Sequence, residues 1–118
     1  METITIKTEH VLDRDDIINL LSSMRYSHYW CENAGEFDLI SVQQKILDGG
    51  KHIAKEFDES DGKIIGRYPV SLATLKKGLQ RMATEYPKHF ADIVNDNDDA
   101  DTADVLLQLS TLGELRYG

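Results

Sequence analysis

Apolar side chains recur at helical spacing in four segments of the chain. Residues 14–24 and 72–86 place them three and four positions apart, and this spacing predicts amphipathic helices. Residues 102–112 fit a final helix, and residues 39–47 fit a shorter one. Residues 89–94 are predicted to add one further turn after Pro87.

Polar residues and glycines mark the ends of these predicted helices. Asp13, Asp38 and Ser71 stand where N-cap side chains belong, and Gly113 stands where the last helix should stop. Gly78 lies inside the helix that Ser71 begins. Because glycine lowers helix stability by about 1 kcal/mol relative to alanine, we expect a close approach to another element there.

Other segments favour strands. Residues 3–8 alternate polar and apolar side chains, and residues 52–57 and 63–68 flank an Asp-Gly pair that is typical of a β-hairpin. Pro69 is predicted to end the second hairpin strand. The aromatic segment, residues 25–31, lacks helical periodicity and is predicted to be a short strand or an ordered loop. Residues 115–117 are also strand-like, and residues 39–42 would serve as a strand as well as a helix.

These elements predict an α+β fold: a small, mostly antiparallel sheet with three to four helices packed on one face. With 118 residues, the chain has the size of one globular domain, residues 1–118. One cysteine, no apparent signal peptide and no long apolar run favour a soluble protein of the cytoplasm. The net charge of −8 argues against direct binding of nucleic acid or anionic membranes.

The densest charge lies near the C-terminus, where no Lys or Arg interrupts a run of acids. The run begins at Asp92, and its candidate binding residues are Asp96, Asp98, Asp99, Asp101 and Asp104. These carboxylates could imitate the phosphates of nucleic acid and occupy a basic groove on another protein. A loose cation site is a second interpretation. The plainest is a solvated loop in which Asp99 or Asp101 caps the last helix.

The aromatic segment supplies a second candidate binding site. Arg25, Tyr29 and Trp30 are residue types that are enriched in binding hot spots and that stack on bases. A small ligand or nucleotide held there could place its phosphate on the basic helix side chains Lys76, Lys77 or Arg81. Packing of the aromatic rings at the edge of the core is the simpler interpretation.

No motif specifies a reaction, a metal site or a cofactor. Cys31 and His28 have suitable spacing for one ligand pair, but a structural zinc site normally needs two close pairs. Glu56 and the acids near the Asp-Gly turn are predicted to be exposed at the hairpin tip. An enzyme is therefore not the favoured interpretation.

The C-terminal half resembles a set of small bacteriophage proteins without an assigned function. The likeness is carried by Leu75-Lys76-Lys77-Gly78-Leu79, Met82-Ala83, Pro87-Lys88-His89-Phe90-Ala91-Asp92, residues 95–105 and Gly113-Glu114-Leu115-Arg116-Tyr117-Gly118; the Tyr29-Trp30 pair is also similar. This resemblance implies a phage or prophage origin and a host cytoplasmic location. It brings no catalytic residue with it.

The leading expectation is a non-enzymatic binding or inhibitor module with an anti-defence role. Its partner would be a host or defence protein with a basic surface, and a homo-oligomer is a further expected association. The alternative is a protein that sequesters a small ligand or nucleotide.

Overall fold

The computed structural model describes residues 3–4, 10–97 and 99–118 and has an α+β fold. The predicted strand at residues 3–8 lies largely outside these residues. The described elements are helices α1 (Arg14–Ser23), α2 (Ile40–Leu47), α3 (Leu72–Glu85), α4 (Pro87–Val94) and α5 (Ala100–Thr111), the 3-10 helices Met24–Tyr29 and Ala34–Asp38, and strands β1 (His52–Phe57) and β2 (Ile64–Val70). The predicted α+β class is confirmed.

The two strands form the predicted antiparallel hairpin. Gly62 lies in its turn with φ of 72°, a conformation that side chains disfavour. Pro69 lies within β2 opposite Ile53, so the prediction that it ends the strand was wrong. The carbonyl of Ile53 faces away from β2 and accepts a hydrogen bond from the Asn33 side chain at 2.7 Å. The missing N–H of Pro69 therefore costs no bond between the strands.

Local caps begin three helices as the sequence predicts. The Asp13 side chain accepts from the Asp16 backbone at 2.9 Å, and Ser71 forms a capping box with Thr74. Asp99, one of the two candidates, caps α5. Each bond satisfies a backbone N–H that the first helical turn leaves without an internal partner.

Asp38 does not cap α2. It ends the 3-10 helix before it, and the extended residue Leu39 takes the N-cap position without a side-chain bond. Helix α4 is a separate helix rather than one extra turn, because Pro87 starts it at a position where no N–H is needed.

The aromatic segment is helical over its first part, so the predicted strand or loop was wrong for residues 25–29. The 3-10 helix ends where the backbone N–H groups of Trp30 and Cys31 both donate to the Ser27 carbonyl, at 3.1 and 2.9 Å. The chain then runs beside β1, and Cys31 forms an isolated bridge to Glu56.

Residues 115–117 are not a strand, although their backbone is held as in one. The N–H groups of Arg116 and Tyr117 both donate to the side-chain oxygen of Gln108, at 2.9 and 3.0 Å. The Gln108 amide also donates to the Tyr117 carbonyl at 3.2 Å. The buried Gln108 amide thus makes the backbone hydrogen bonds that a neighbouring strand would otherwise make.

Helix α5 lies at the centre of the core. Most of its residues are buried, and it packs against α3, the 3-10 helix Met24–Tyr29 and β2. At Gly78 on α3, an added Cβ would lie 2.2 Å from the Ser110 hydroxyl. The predicted close approach at this glycine is therefore confirmed.

Within the described ranges, no helix combines the length and apolar character needed to cross a membrane.

Candidate functional site

The exposed acids of the predicted run lie where the chain passes from α4 into α5: one is on the connection, one is the N-cap and one is in the first turn of α5. Asp96, Asp99 and Asp101 are exposed, and we call these three residues the acidic surface. Asp96 adopts a positive φ of 59°, which aspartate and asparagine tolerate better than most residues. Asp98 lies outside the described residues.

The electrostatics of this surface are set by local backbone. The Thr102 N–H donates to Asp99 at 3.0 Å and holds the pKa of that carboxyl below its ordinary value. Among the described residues, no Lys, Arg or His forms an ion pair with Asp96, Asp99 or Asp101. Their negative charge is therefore available to a partner.

Asp104 does not belong to this surface. Its Oδ1 accepts hydrogen bonds from the Ser27 hydroxyl at 2.6 Å and the Trp30 indole N–H at 2.7 Å. Its Oδ2 accepts from the Tyr29 hydroxyl and from the Gln108 amide at 3.0 Å. Four neutral donors thus occupy both oxygens. The sequence groups Asp104 with the acidic run, but its contacts make it an internal anchor for the aromatic segment.

The aromatic segment is mostly committed to packing. Trp30 is fully buried, and its ring stacks on Tyr117 with a centroid distance of 5.6 Å. Burial and the Asp104 carboxylate raise the pKa of Tyr29 well above its ordinary value. Arg25 turns elsewhere: it donates to the Ser22 carbonyl at 2.8 Å and lies 4.4 Å from the centre of the Tyr26 ring. The three predicted binding residues therefore do not form one exposed stacking platform.

Glu56 is the centre of a second internal network that the sequence did not reveal. Only 1% of its surface is exposed, so the predicted position at the hairpin tip was wrong. It accepts hydrogen bonds from Tyr68 at 2.9 Å, from Arg116 at 3.2 Å and from Tyr117. Burial would raise its pKa, but the bonds from Tyr117 and Tyr68 and the charge of Arg116 hold it below the ordinary value.

The two networks meet through Gln108 and Tyr117. Gln108 binds Asp104 with its amide and the backbone of Tyr117 with both ends of its side chain. The hydrogen bond to Glu56, with burial, raises the pKa of Tyr117 to about 12. The result is a continuous polar core that fixes the C-terminal residues against the centre of the protein.

The reactive side chains give little support to catalysis. Burial raises the pKa of the Cys31 thiol to about 11, so it is protonated at neutral pH. His89 shares a hydrogen bond of 3.0 Å with Thr102 and does not contact Cys31. Across residues 3–4, 10–97 and 99–118, no three His, Cys, Asp or Glu side chains are grouped closely enough to hold a metal ion.

The cations of α3 differ in their engagement. Arg81 binds the Gly113 carbonyl and forms an ion pair with Glu85 at 3.0 Å. Lys76 and Lys77 are exposed and form no ion pair with the described residues. The buried indole of Trp30 instead donates to Asp104 and stacks on Tyr117.

Comparison with protein-family models, curated proteins and solved structures finds no match for this chain.

Proposed function

We propose that this protein is a phage-type, non-enzymatic binding module that inhibits a host or defence protein through its acidic surface. The proposal rests on a difference between two groups of carboxylates in this protein, in the hydrogen bonds and ion pairs that they form. Asp104 and Glu56 are held by internal donors, whereas Asp96, Asp99 and Asp101 have no ion pair within the described ranges. Exposed, uncompensated carboxylates favour a partner with clustered Lys and Arg.

The charge of the whole chain supports the same partner. A net charge of −8 creates a field that attracts a basic protein surface and repels nucleic acid. Such charge steering raises the association rate most strongly at low salt, because mobile ions screen it over about 8 Å at physiological ionic strength. The interaction should therefore weaken as salt rises.

Replacing Asp96, Asp99 and Asp101 together by asparagine tests the proposal while preserving local structure. Asparagine tolerates the left-handed backbone of residue 96 and caps a helix as well as aspartate does. Tagged protein would first retrieve a partner from bacterial lysate, and the purified partner would then be titrated with wild type and variant. We expect at least a roughly tenfold loss of affinity, equivalent to about 1.4 kcal/mol, and a smaller salt dependence.

A matched control removes three carboxylates from equivalent local positions elsewhere. Asp13 caps α1, Asp15 lies in its first turn, and Asp48 follows α2. Asn at these three positions makes the same change in net charge and should leave binding within about twofold of wild type. Equal losses for the two triple variants, or no loss for either, would contradict an acidic binding surface. Duplex DNA should displace the partner if the surface imitates nucleic acid.

Binding of a small ligand or nucleotide is the alternative function. It is less well supported, because the Trp30 ring is already covered by Tyr117 and the rest of the core. Titration with nucleotides while Trp30 fluorescence is followed distinguishes the two functions. A saturable change at micromolar nucleotide would favour the alternative.

A further inference from the structure

A cavity of about 360 Å³ lies where α3, α4 and the segment before α1 meet. Its volume falls in the range of about 300–1,000 Å³ that is usual for small-molecule sites. None of the three residues of the acidic surface lines it. Its apolar wall is formed by Leu12, Leu79, Ala83, Phe90, Ile93 and Val94.

The sequence creates this cavity at the junction of two helices. Only Tyr86 separates the end of α3 from the start of α4, and because its backbone is not helical the two helices are distinct and pack against each other. Phe90, Ile93 and Val94 form one apolar face on α4 at spacings of three and four residues. Ala83 on the facing helix is too small to fill the space between them. The result is apolar surface that the fold leaves open, with Val94 still 36% exposed.

The charge around the cavity is opposite to that of the protein as a whole. The chain has 21 acidic and 13 basic residues, yet none of the residues described as lining the cavity is acidic. Lys76 lines it and forms no ion pair with any described residue. The Gln80 amide adds hydrogen-bonding groups, and the His10 ring packs edge-on against Phe90 at 5.6 Å.

We propose that this cavity binds a small amphiphilic anion, such as a medium-chain carboxylate. The hydrocarbon part would lie against the wall formed by α3 and α4, where it removes apolar surface from water. The acid group would lie at Lys76, whose ammonium can donate charge-assisted hydrogen bonds to it. An uncharged apolar molecule would use the wall but not the cation. Among the described lining residues Lys76 carries the only formal charge at neutral pH with His counted as neutral, which favours an anion over an amine.

Calorimetric titration of the full chain with sodium decanoate tests this site, with 1-decanol as the uncharged probe. We expect saturable binding of decanoate at one site and at least fivefold weaker binding of decanol. Lys76→Gln should weaken decanoate binding about tenfold, as expected for loss of a charge-assisted bond. Lys77→Gln is the matched control, because Lys77 does not line the cavity. It should bind decanoate as wild type does.

Two further variants test the volume of the cavity and the charge at its rim separately. Ala83→Phe should fill the space and abolish binding of both probes, and Gln80→Glu should weaken decanoate binding by placing a carboxylate at the rim. Gln80→Glu is nearly isosteric and lies at an exposed position, so it still tests the site if Ala83→Phe unfolds the protein. Absence of saturable decanoate binding, equal binding of decanol, or indifference to Lys76→Gln would overturn the proposal. A dimer that Ala83→Phe dissociates would overturn it in favour of a second copy of the chain.

Discussion

The carboxylates of Asp104 and Glu56 lie in the interior network, whereas those of Asp96 and Asp101 lie on the acidic surface. Asp104 accepts four hydrogen bonds, and three of their donors lie 74 to 77 positions away in the chain. Glu56 is bound by residues 60 and 61 positions away. The Asp96 side chain instead faces solvent on the connection between α4 and α5, and the Asp101 side chain faces solvent in the first turn of α5. The same chemical group is therefore bonded within the protein in one region and exposed to solvent in the other.

The difference shows that density of charge along the chain does not define a functional surface. Asp104 lies only three residues beyond Asp101, but helix α5 turns its side chain towards the aromatic segment. A buried carboxylate is tolerated only where hydrogen bonds or opposite charges compensate its lost hydration. Network carboxylates should therefore govern stability, and surface carboxylates should govern binding.

Asp104→Ala gives the sharpest test and should cause the largest loss of stability. It removes the acceptor for Ser27, Tyr29 and Trp30 at once, and buried donors without partners cost about 1–3 kcal/mol each. Because such costs are not additive, we expect the free energy of unfolding to fall by about 3–5 kcal/mol. Urea denaturation followed by Trp30 fluorescence measures the change.

Asp101→Ala is the control on the same helix. Its carboxylate is exposed and makes no hydrogen bond with the described residues, so its loss should change stability by about 0.5 kcal/mol or less. If the two variants were equally stable, the division between network and surface carboxylates would be wrong.

Tyr117→Phe should cause the next largest loss. It removes one hydrogen bond to the Glu56 carboxylate while keeping the ring that stacks on Trp30. Bonds to charged groups contribute about 1.5–3 kcal/mol, so we expect a loss of about 2 kcal/mol at pH 7. Urea denaturation at pH 7 and at pH 3.5 measures the loss and its dependence on pH.

The pH dependence follows from the lowered pKa of Glu56. A carboxyl whose pKa is lower in the folded state stabilises the fold fully above its unfolded pKa of about 4.3, and less as pH falls through the folded value. In Tyr117→Phe the pKa of Glu56 should be lowered less, because one of its hydrogen bonds is missing. The stability difference between wild type and variant should therefore shrink at pH 3.5. If this difference in the free energy of unfolding were the same at both pH values, the loss would come from packing. Tyr26→Phe is the control: its hydroxyl is exposed, so it should lose little stability at either pH.

Features that depend on neighbouring residues were predictable from the sequence. The caps at Asp13, Ser71 and Asp99 use a side chain and a backbone group three residues apart. The hairpin turn depends on Gly62, and the end of α5 on Gly113, both of which adopt positive φ. Each of these choices is decided within a few positions. The cap predicted at Asp38 failed because that residue ends the preceding 3-10 helix instead.

The two networks were not predictable, because their partners come together only in the folded chain. Nothing near Gln108 indicates that its amide binds the backbone of residues 116–117 in place of a strand. The aromatic segment likewise lacks a periodic pattern, and its 3-10 conformation is fixed by distant contacts with Asp104. Sequence reasoning therefore says least about the residues whose contacts join positions far apart in the chain, such as Trp30 and Asp104.

The smallest predicted effects on stability have opposite signs and concern two buried serine hydroxyls. The Ser27 hydroxyl donates to Asp104, whereas the Ser110 hydroxyl is buried without a hydrogen-bond partner in the described part of the chain. Ser110→Ala removes a desolvated polar group and should raise the free energy of unfolding by up to about 1 kcal/mol, whereas Ser27→Ala should lower it by about 1–2 kcal/mol. Urea denaturation of the two variants measures both changes. The Ser110 oxygen fills the space that an added Cβ at residue 78 would enter. If both variants lost stability, the packing of this oxygen against Gly78 would outweigh the cost of burying it without a hydrogen bond.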